Sequence, residues 1–173
     1  MDSAFWGQFW PGFYANLAST ILGGILLTVI FFLFKEKFFS LPVVAGVWEC
    51  ETIVNETEYN PYRGMKVWYK ITLLQSGASV VGMGEKDREV AAKGAYEFSG
   101  AQRRTTDISG SITKRFFGSD EIVIFWREDG QKRETATFFR LRVSGCKRKG
   151  GLRGTFYTTA AQSRGEAFWK RIA

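Results

Sequence analysis

Histidine is absent from this chain of 173 residues, which also has only two cysteines and three prolines. Without an imidazole there is no Ser-His-Asp or Cys-His nucleophile, no His-ligated metal and no histidine proton shuttle. Cys50 and Cys146 lie far apart and belong to no CxxC pair, so their spacing describes neither a zinc site nor a disulfide framework. No Walker A or GxGxxG motif occurs, and GVWEC, GMGEK and GGLRG lack the strand–loop–helix setting that lets a helix N-terminus hold phosphate. Glu49 and Glu51 share one strand face and Asp120-Glu121 sits in a turn, so no spacing sets two carboxylates across a site. The expectation is a protein that is not an enzyme and uses no metal or organic cofactor. Disorder is disfavoured by the 16% aromatic content and 19 glycines, which suit a strand-rich and turn-rich fold.

Charge is missing from the N-terminal region. No residue between Asp2 and Lys35 is charged, and 13–34 (FYANLASTILGGILLTVIFFLF) is an almost unbroken apolar run. A hydrocarbon core takes about 20 helical residues to cross, so this reads as a transmembrane helix. The acidic start and the FFLFKEKFF end fit no cleavable signal peptide, and the helix is expected to be retained. Lys35 and Lys37 follow the run directly, which places the N-terminus outside and the rest of the chain in the cytoplasm. Upstream, Phe5, Trp6, Phe9, Trp10, Phe13 and Tyr14 form an interfacial aromatic belt around Pro11-Gly12, expected to break off a short half-helix too small for a second span. Ala15, Ser19 and Gly23, with Asn16, Thr20, Gly24 and Thr28 beside them, make small and polar rows at i, i+4 spacing. Such rows suit close packing of helices, so a homo-oligomer is expected.

Beyond Pro42, alternation with period two replaces the apolar run, dividing the chain into an anchor (1–41) and a soluble domain (42–173). Strands are expected at 47–54, 65–74, 78–85, 94–98, 105–117, 121–127, 133–143, 152–159 and 165–172. Turn signals such as Ser76-Gly77, Asp129-Gly130 and Gly150-Gly151 punctuate them. Lys86 to Lys93 (KDREVAAK) reads as a short helical turn. A meander of this kind buries its edges only by closing, so the fold class is a membrane-anchored all-β protein with an antiparallel barrel of about eight strands. Gly82, Gly110 and Gly154 stand where closure needs tight bends.

The segment after the apolar run holds all 24 Lys and Arg and all but one of the 17 acids, which points to an anionic partner: the inner-leaflet lipid surface or a phosphate-bearing ligand. Cations cluster at Arg103-Arg104, Lys114-Arg115, Lys132-Arg133, Arg140/Arg142 and Lys147-Arg148-Lys149, interleaved with Trp68-Tyr69-Lys70, Phe125-Trp126-Arg127 and Phe156-Tyr157. Bases stack on such rings while Arg grips phosphate, so Tyr69, Trp126 and Tyr157 are candidate stacking residues, and Arg63, Arg103, Arg104 and Arg140 candidate phosphate partners. A long nucleic acid is not expected, because the cations are scattered over hairpins with no basic helix or RNA-binding signature.

GVWEC opening the barrel, ITLLQSGASVVGMG in its second hairpin and GTFYTTAAQSRGEAFWKRI closing it, all behind an N-terminal membrane segment, resemble a bacterial group. The group is the membrane-anchored, STING-like minimal β-barrel effectors of CBASS, the cyclic-oligonucleotide anti-phage signalling systems. The resemblance covers essentially the whole chain and rests on architecture and a loose G-W, Q-G-V-G, G-x-F pattern. It implies a barrel that binds a cyclic dinucleotide made by a partner nucleotidyltransferase. It further implies oligomerisation through the membrane segment, disruption of the bacterial inner membrane and abortive infection. Members of the group often carry two membrane helices, whereas one span is legible here. The alternative reading is a membrane-tethered, lipocalin-like carrier or scaffold that binds an apolar ligand or a protein partner.

Overall fold

The computed structural model describes residues 3–38, 41–100, 103–115, 118–129, 134–143 and 151–172, the side chains of 3–9 and 35–38 excepted. Cys146, the Lys132-Arg133 pair and the Lys147-Arg148-Lys149 tip lie outside the described residues. Two compact units are formed, Met1–Ser40 and Leu41–Ala173.

The first unit is one helix, α1 (Ser3–Phe38, 36 residues). Its segment Trp10–Phe34 is long and apolar enough to cross a membrane. The expected break at Pro11-Gly12 does not occur, and Pro11 lies inside a continuous helix. Proline removes one N–H and crowds the carbonyl four residues earlier, here that of Gly7. In an apolar sequence, opening the helix would leave further carbonyls without partners, so keeping it closed is the cheaper state. Trp10 stacks on Tyr14 (centroids 5.8 Å apart) with Phe13 edge-on at 6.1 Å, so these three aromatics pack against one another on the helix.

The second unit is all-β. Its strands are β1 (Gly46–Glu56), β2 (Lys66–Ser76), β3 (Ser79–Ala91), β4 (Gly94–Glu97), β5 (Thr105–Thr113), β6 (Glu121–Asp129), β7 (Glu134–Val143), β8 (Leu152–Thr158) and β9 (Ser163–Arg171). Neighbours pair antiparallel in the order β2-β1-β9-β8-β7-β6-β5-β3, and β2 pairs again with β3, so eight strands close into an up-and-down barrel. Among the described residues the ninth, β4, pairs with the far part of β3 alone, from Arg88↔Glu97 to Ala91↔Gly94. The segment expected to be a helical turn, Lys86 to Lys93, is instead mostly the continuation of β3. Pairing with β2 on one side and β4 on the other satisfies its backbone, which overrides the helix propensity of KDREVAAK.

Alternation sends Trp48, Cys50, Thr52 and Val54 of β1 inward, and Val67, Ile71 and Leu73 of β2 likewise. One end of the barrel is plugged by Trp48, Leu73, Val80, Ile122, Leu141 and Trp169, all at most 2% exposed. Residues 41–45 lie at this closed end: Val44 is buried, its N–H donates to Gln75 Oε1 (2.8 Å), and its carbonyl accepts Trp48 Nε1 (2.9 Å). Gln75 Nε2 donates to the carbonyls of Pro42 and Gly77, both at 3.0 Å, so the Gln-Ser-Gly segment ties the β2–β3 turn to the strand of chain that leads into β1. Gly77 turns there at φ +58°, a conformation that favours glycine. A Cβ at Gly110 or Gly154 would run into the carbonyl of Val123 or Arg140 on the next strand, so these inward positions need glycine for the coiled walls to approach.

Candidate functional site

The inner rows change character along the barrel. At the end opposite the plug they cease to be aliphatic and enclose a cavity of about 630 Å³, open to solvent. Its floor is aromatic. Trp126 packs against Tyr69 (4.5 Å, edge-on) and Phe139 (4.9 Å), and Phe139 packs against Phe156 (5.9 Å). One side is lined by hydroxyls, Thr52, Thr135, Thr137, Thr158 and Ser163, from β1, β7, β8 and β9. Several are already engaged: Thr137 Oγ1 donates to Thr158 Oγ1 (2.9 Å) and Ser163 Oγ to the Ala160 carbonyl (2.7 Å).

The other side is ionic, with Lys86, Glu89, Arg104 and Glu128 contributed by β3, the β4–β5 connection and β6. Strict alternation would put Lys86 and Glu89 on opposite faces. A bulge prevents this: Tyr69 pairs with Lys86 and Trp68 with Arg88, so Asp87 is the extra residue and both Asp87 and Arg88 turn outward. Lys86 Nζ then meets Glu89 Oε2 at 2.5 Å, with side chains only 11% and 22% exposed, while the ammonium also lies 4.9 Å from the Phe98 ring centre. Glu128 accepts the Tyr69 hydroxyl (3.0 Å) and stands 3.6 Å from Arg104. Burial, then the Glu128 charge and hydrogen bond, push the Tyr69 phenol well above its ordinary value, so Tyr69 stays a donor. Burial, followed by the Glu51 charge, likewise pushes up the Cys50 thiol in the core, leaving it an inert apolar filler.

The rim carries the accessible rings. Tyr59 and Tyr62 meet edge-on (5.0 Å) in the loop between β1 and β2, whose short 3-10 turn is Asn60–Tyr62. Across the mouth, Lys93, Tyr96 and Phe98 belong to the β3–β4 arm and the residues after it. Tyr59 and Tyr96 are about half exposed, whereas Trp126 is 1% exposed, so the rim rings are accessible and the floor ring is covered.

Of the seven sequence-predicted ligand residues, the fold brings Tyr69, Arg104 and Trp126 together at the cavity. Arg63 ends the rim turn and is exposed. Arg103 lies outside the cavity lining and binds Glu85 (2.9 Å) and the Phe98 carbonyl (3.2 Å). Arg140 is on the outer wall, 2.5 Å from Glu121 with its side chain 74% exposed. Tyr157 is also outside, beside Arg164 (5.8 Å), because Phe156 takes the inward position. On α1, Ala15, Asn16, Ser19, Thr20, Gly23, Gly24 and Thr28 are all exposed, and the hydroxyls of Ser19, Thr20 and Thr28 donate back to the carbonyls of Ala15, Asn16 and Gly24 (2.8–2.9 Å). They therefore need no acceptor on another helix, and a Cβ added at Gly23 or Gly24 would meet open space.

Sequence reasoning missed Lys86, Glu89, Lys93, Glu128 and the rim tyrosines. The signal for Glu128 was available in the alternation of β6, where Ile122, Ile124 and Trp126 already fix the inward phase. Among the described residues no group of three His, Cys, Asp or Glu is arranged to hold a metal ion. Comparison with family models, curated proteins and solved structures finds no match to this chain.

Proposed function

We propose that the chain is a membrane-anchored receptor and effector whose barrel holds a cyclic dinucleotide in the cavity at its open end. The observation that carries this reading is the combination in one cavity of three cations, Lys93 at the rim with Lys86 and Arg104 beside Glu89 and Glu128, with half-exposed tyrosine rings, above a floor that is closed. A volume of 630 Å³ is within the span of small-molecule sites, about 300–1,000 Å³. Rim rings offer stacking worth about 1–3 kcal/mol per base, and the cations offer partners to phosphate. A plug at the far end means that a polymer cannot thread through, which favours a compact ligand over a long nucleic acid. The class of ligand comes from the resemblance to the CBASS barrel effectors.

In this reading α1 crosses the bacterial inner membrane with the barrel in the cytoplasm, as Lys35 and Lys37 direct. Ligand shifts the population towards an assembly packed through the Ala15/Ser19/Gly23 and Asn16/Thr20/Gly24/Thr28 rows, which requires tighter binding to the assembled state. The assembly breaches the membrane and ends the infection with the cell. No catalytic step is involved.

Titration calorimetry of the full chain in detergent micelles against a panel of cyclic dinucleotides tests the reading. Heat is expected from at least one member and is expected to vanish in Arg104→Ala. Silence from every member, with lipid extracted alongside the purified protein, would instead favour the apolar-ligand carrier, for which the Met65, Val67 and Phe156 lining provides a surface.

A further inference from the structure

The outer surface of the barrel is not uniformly polar. Along one register row, β3, β5, β6 and β7 present Val81, Ser109, Phe125 and Phe138 side by side, with Met83 and Val123 in the adjacent rows. Phe125 and Phe138 touch (centroids 5.0 Å apart) yet remain 37% and 46% exposed, and Met83 is 70% exposed. Exposed apolar side chains clustered in this way, interrupted only by the small Ser109 within the row, mark a contact surface on a folded domain.

Among the described residues, charge on the two sides of the row differs in sign. Towards the open end the outward residues are Asp107, Asp129 and Glu134, with Arg127 bridging Glu134 (2.8 Å) and Asp107 (3.6 Å) and leaving an acidic excess; towards the plug they are Arg142 and Arg153, with Arg140 paired to Glu121 (2.5 Å) and leaving a basic excess. We infer that this surface is a self-association face, on which a second copy of the chain packs with the two-fold axis lying along the Phe125–Phe138 row. That axis lays each ring over its own counterpart and turns the basic side of one copy over the acidic side of the other, with Arg142 above Glu134 of the second copy. An anionic lipid surface fits less well, because the acidic half of the face would meet like charge. Anchoring confines copies to two dimensions and raises their effective concentration, so a modest patch suffices. The confinement rests on the membrane reading of α1; the face itself is independent of what the cavity binds.

Oxidative cross-linking of the full-length chain in its membranes tests this, with Cys146→Ser removing one native thiol and Cys50 left in place because it is buried. Phe138→Cys is expected to give disulfide-linked dimers, and Lys170→Cys, outward on the far side in β9, about ten-fold fewer. Arg142→Glu is expected to lower the Phe138→Cys yield about three-fold or more, and adding Glu134→Arg to restore it. Equal yields from Phe138→Cys and Lys170→Cys, or no dimer from Phe138→Cys and from Phe125→Cys, would overturn the inference.

Discussion

The two ends of the barrel are built from the same eight strands and differ in what their inward rows carry. At the closed end Val, Ile, Leu and Trp are almost fully buried against one another; at the open end the same strands present Thr, Lys, Glu and Tyr around a cavity. An eight-stranded barrel is just wide enough to be filled by side chains or to enclose a small cavity, and this barrel is filled at one end and hollow at the other. The lesson is a division of labour: apolar packing at the plug supplies the stability that lets the other end keep partly buried charges and a hollow interior.

Substitutions that challenge this division should differ in size and in kind. The largest effect is expected at the plug, where Leu141→Ala or Ile122→Ala removes fully buried methyls from a packed site and costs about 2–5 kcal/mol, measured by denaturant unfolding followed through tryptophan fluorescence. An equally large loss from Thr135→Ala at the mouth would erase the contrast. Next is the Lys86–Glu89 pair. Lys86→Met leaves a largely buried carboxylate unpaired and should cost about 1–3 kcal/mol, while Lys86→Met with Glu89→Met should recover most of that stability. If the double variant is the less stable of the two, the pair is a structural requirement of the barrel and not an adjustable part of the site.

A smaller change, about 1 kcal/mol, is expected for Tyr69→Phe, which removes the donor to Glu128. It carries a pH signature. Because the phenol's folded value is raised above 10.0, its stabilising contribution is complete below that value and is lost as pH rises beyond it. Alkaline unfolding should therefore be less steep in Tyr69→Phe than in the parent chain, and identical slopes would show that Tyr69 ionises freely. The smallest effect on the barrel is expected from Gly24→Leu. It should leave barrel unfolding within about 0.5 kcal/mol of the parent and ligand binding intact, while abolishing toxicity in cells. Undiminished toxicity would separate the helix rows from the effect.

The plug was far more legible in the sequence than the cup. Turn glycines and alternation such as Trp48, Cys50, Thr52 and Val54 identify strands whose apolar face must be covered, and a helix-free meander has few ways to do so. The cup depends on a single inserted residue. With Asp87 bulged, Lys86 and Glu89 share a face; without it, KDREVAAK shows no strand period and looks helical, which hid both charges and the arm that carries Lys93 and Tyr96. Arg140 and Tyr157 were singled out for their chemistry, but their inward neighbours Phe139 and Phe156 hold the opposite phase and send them outside. At Pro11 the local rule for breaking helices lost to the demand that an apolar segment keep its backbone bonded.

Hydrogen exchange of the full-length chain, with and without a cyclic dinucleotide that gives heat in calorimetry, probes the central claim most directly. Added protection is expected in the Tyr59–Tyr62 loop and the β3–β4 arm, with the plug strands around Trp48 and Leu141 unchanged. Protection centred on the closed end or on the outer Phe125–Phe138 surface, with the mouth unaffected, would contradict it.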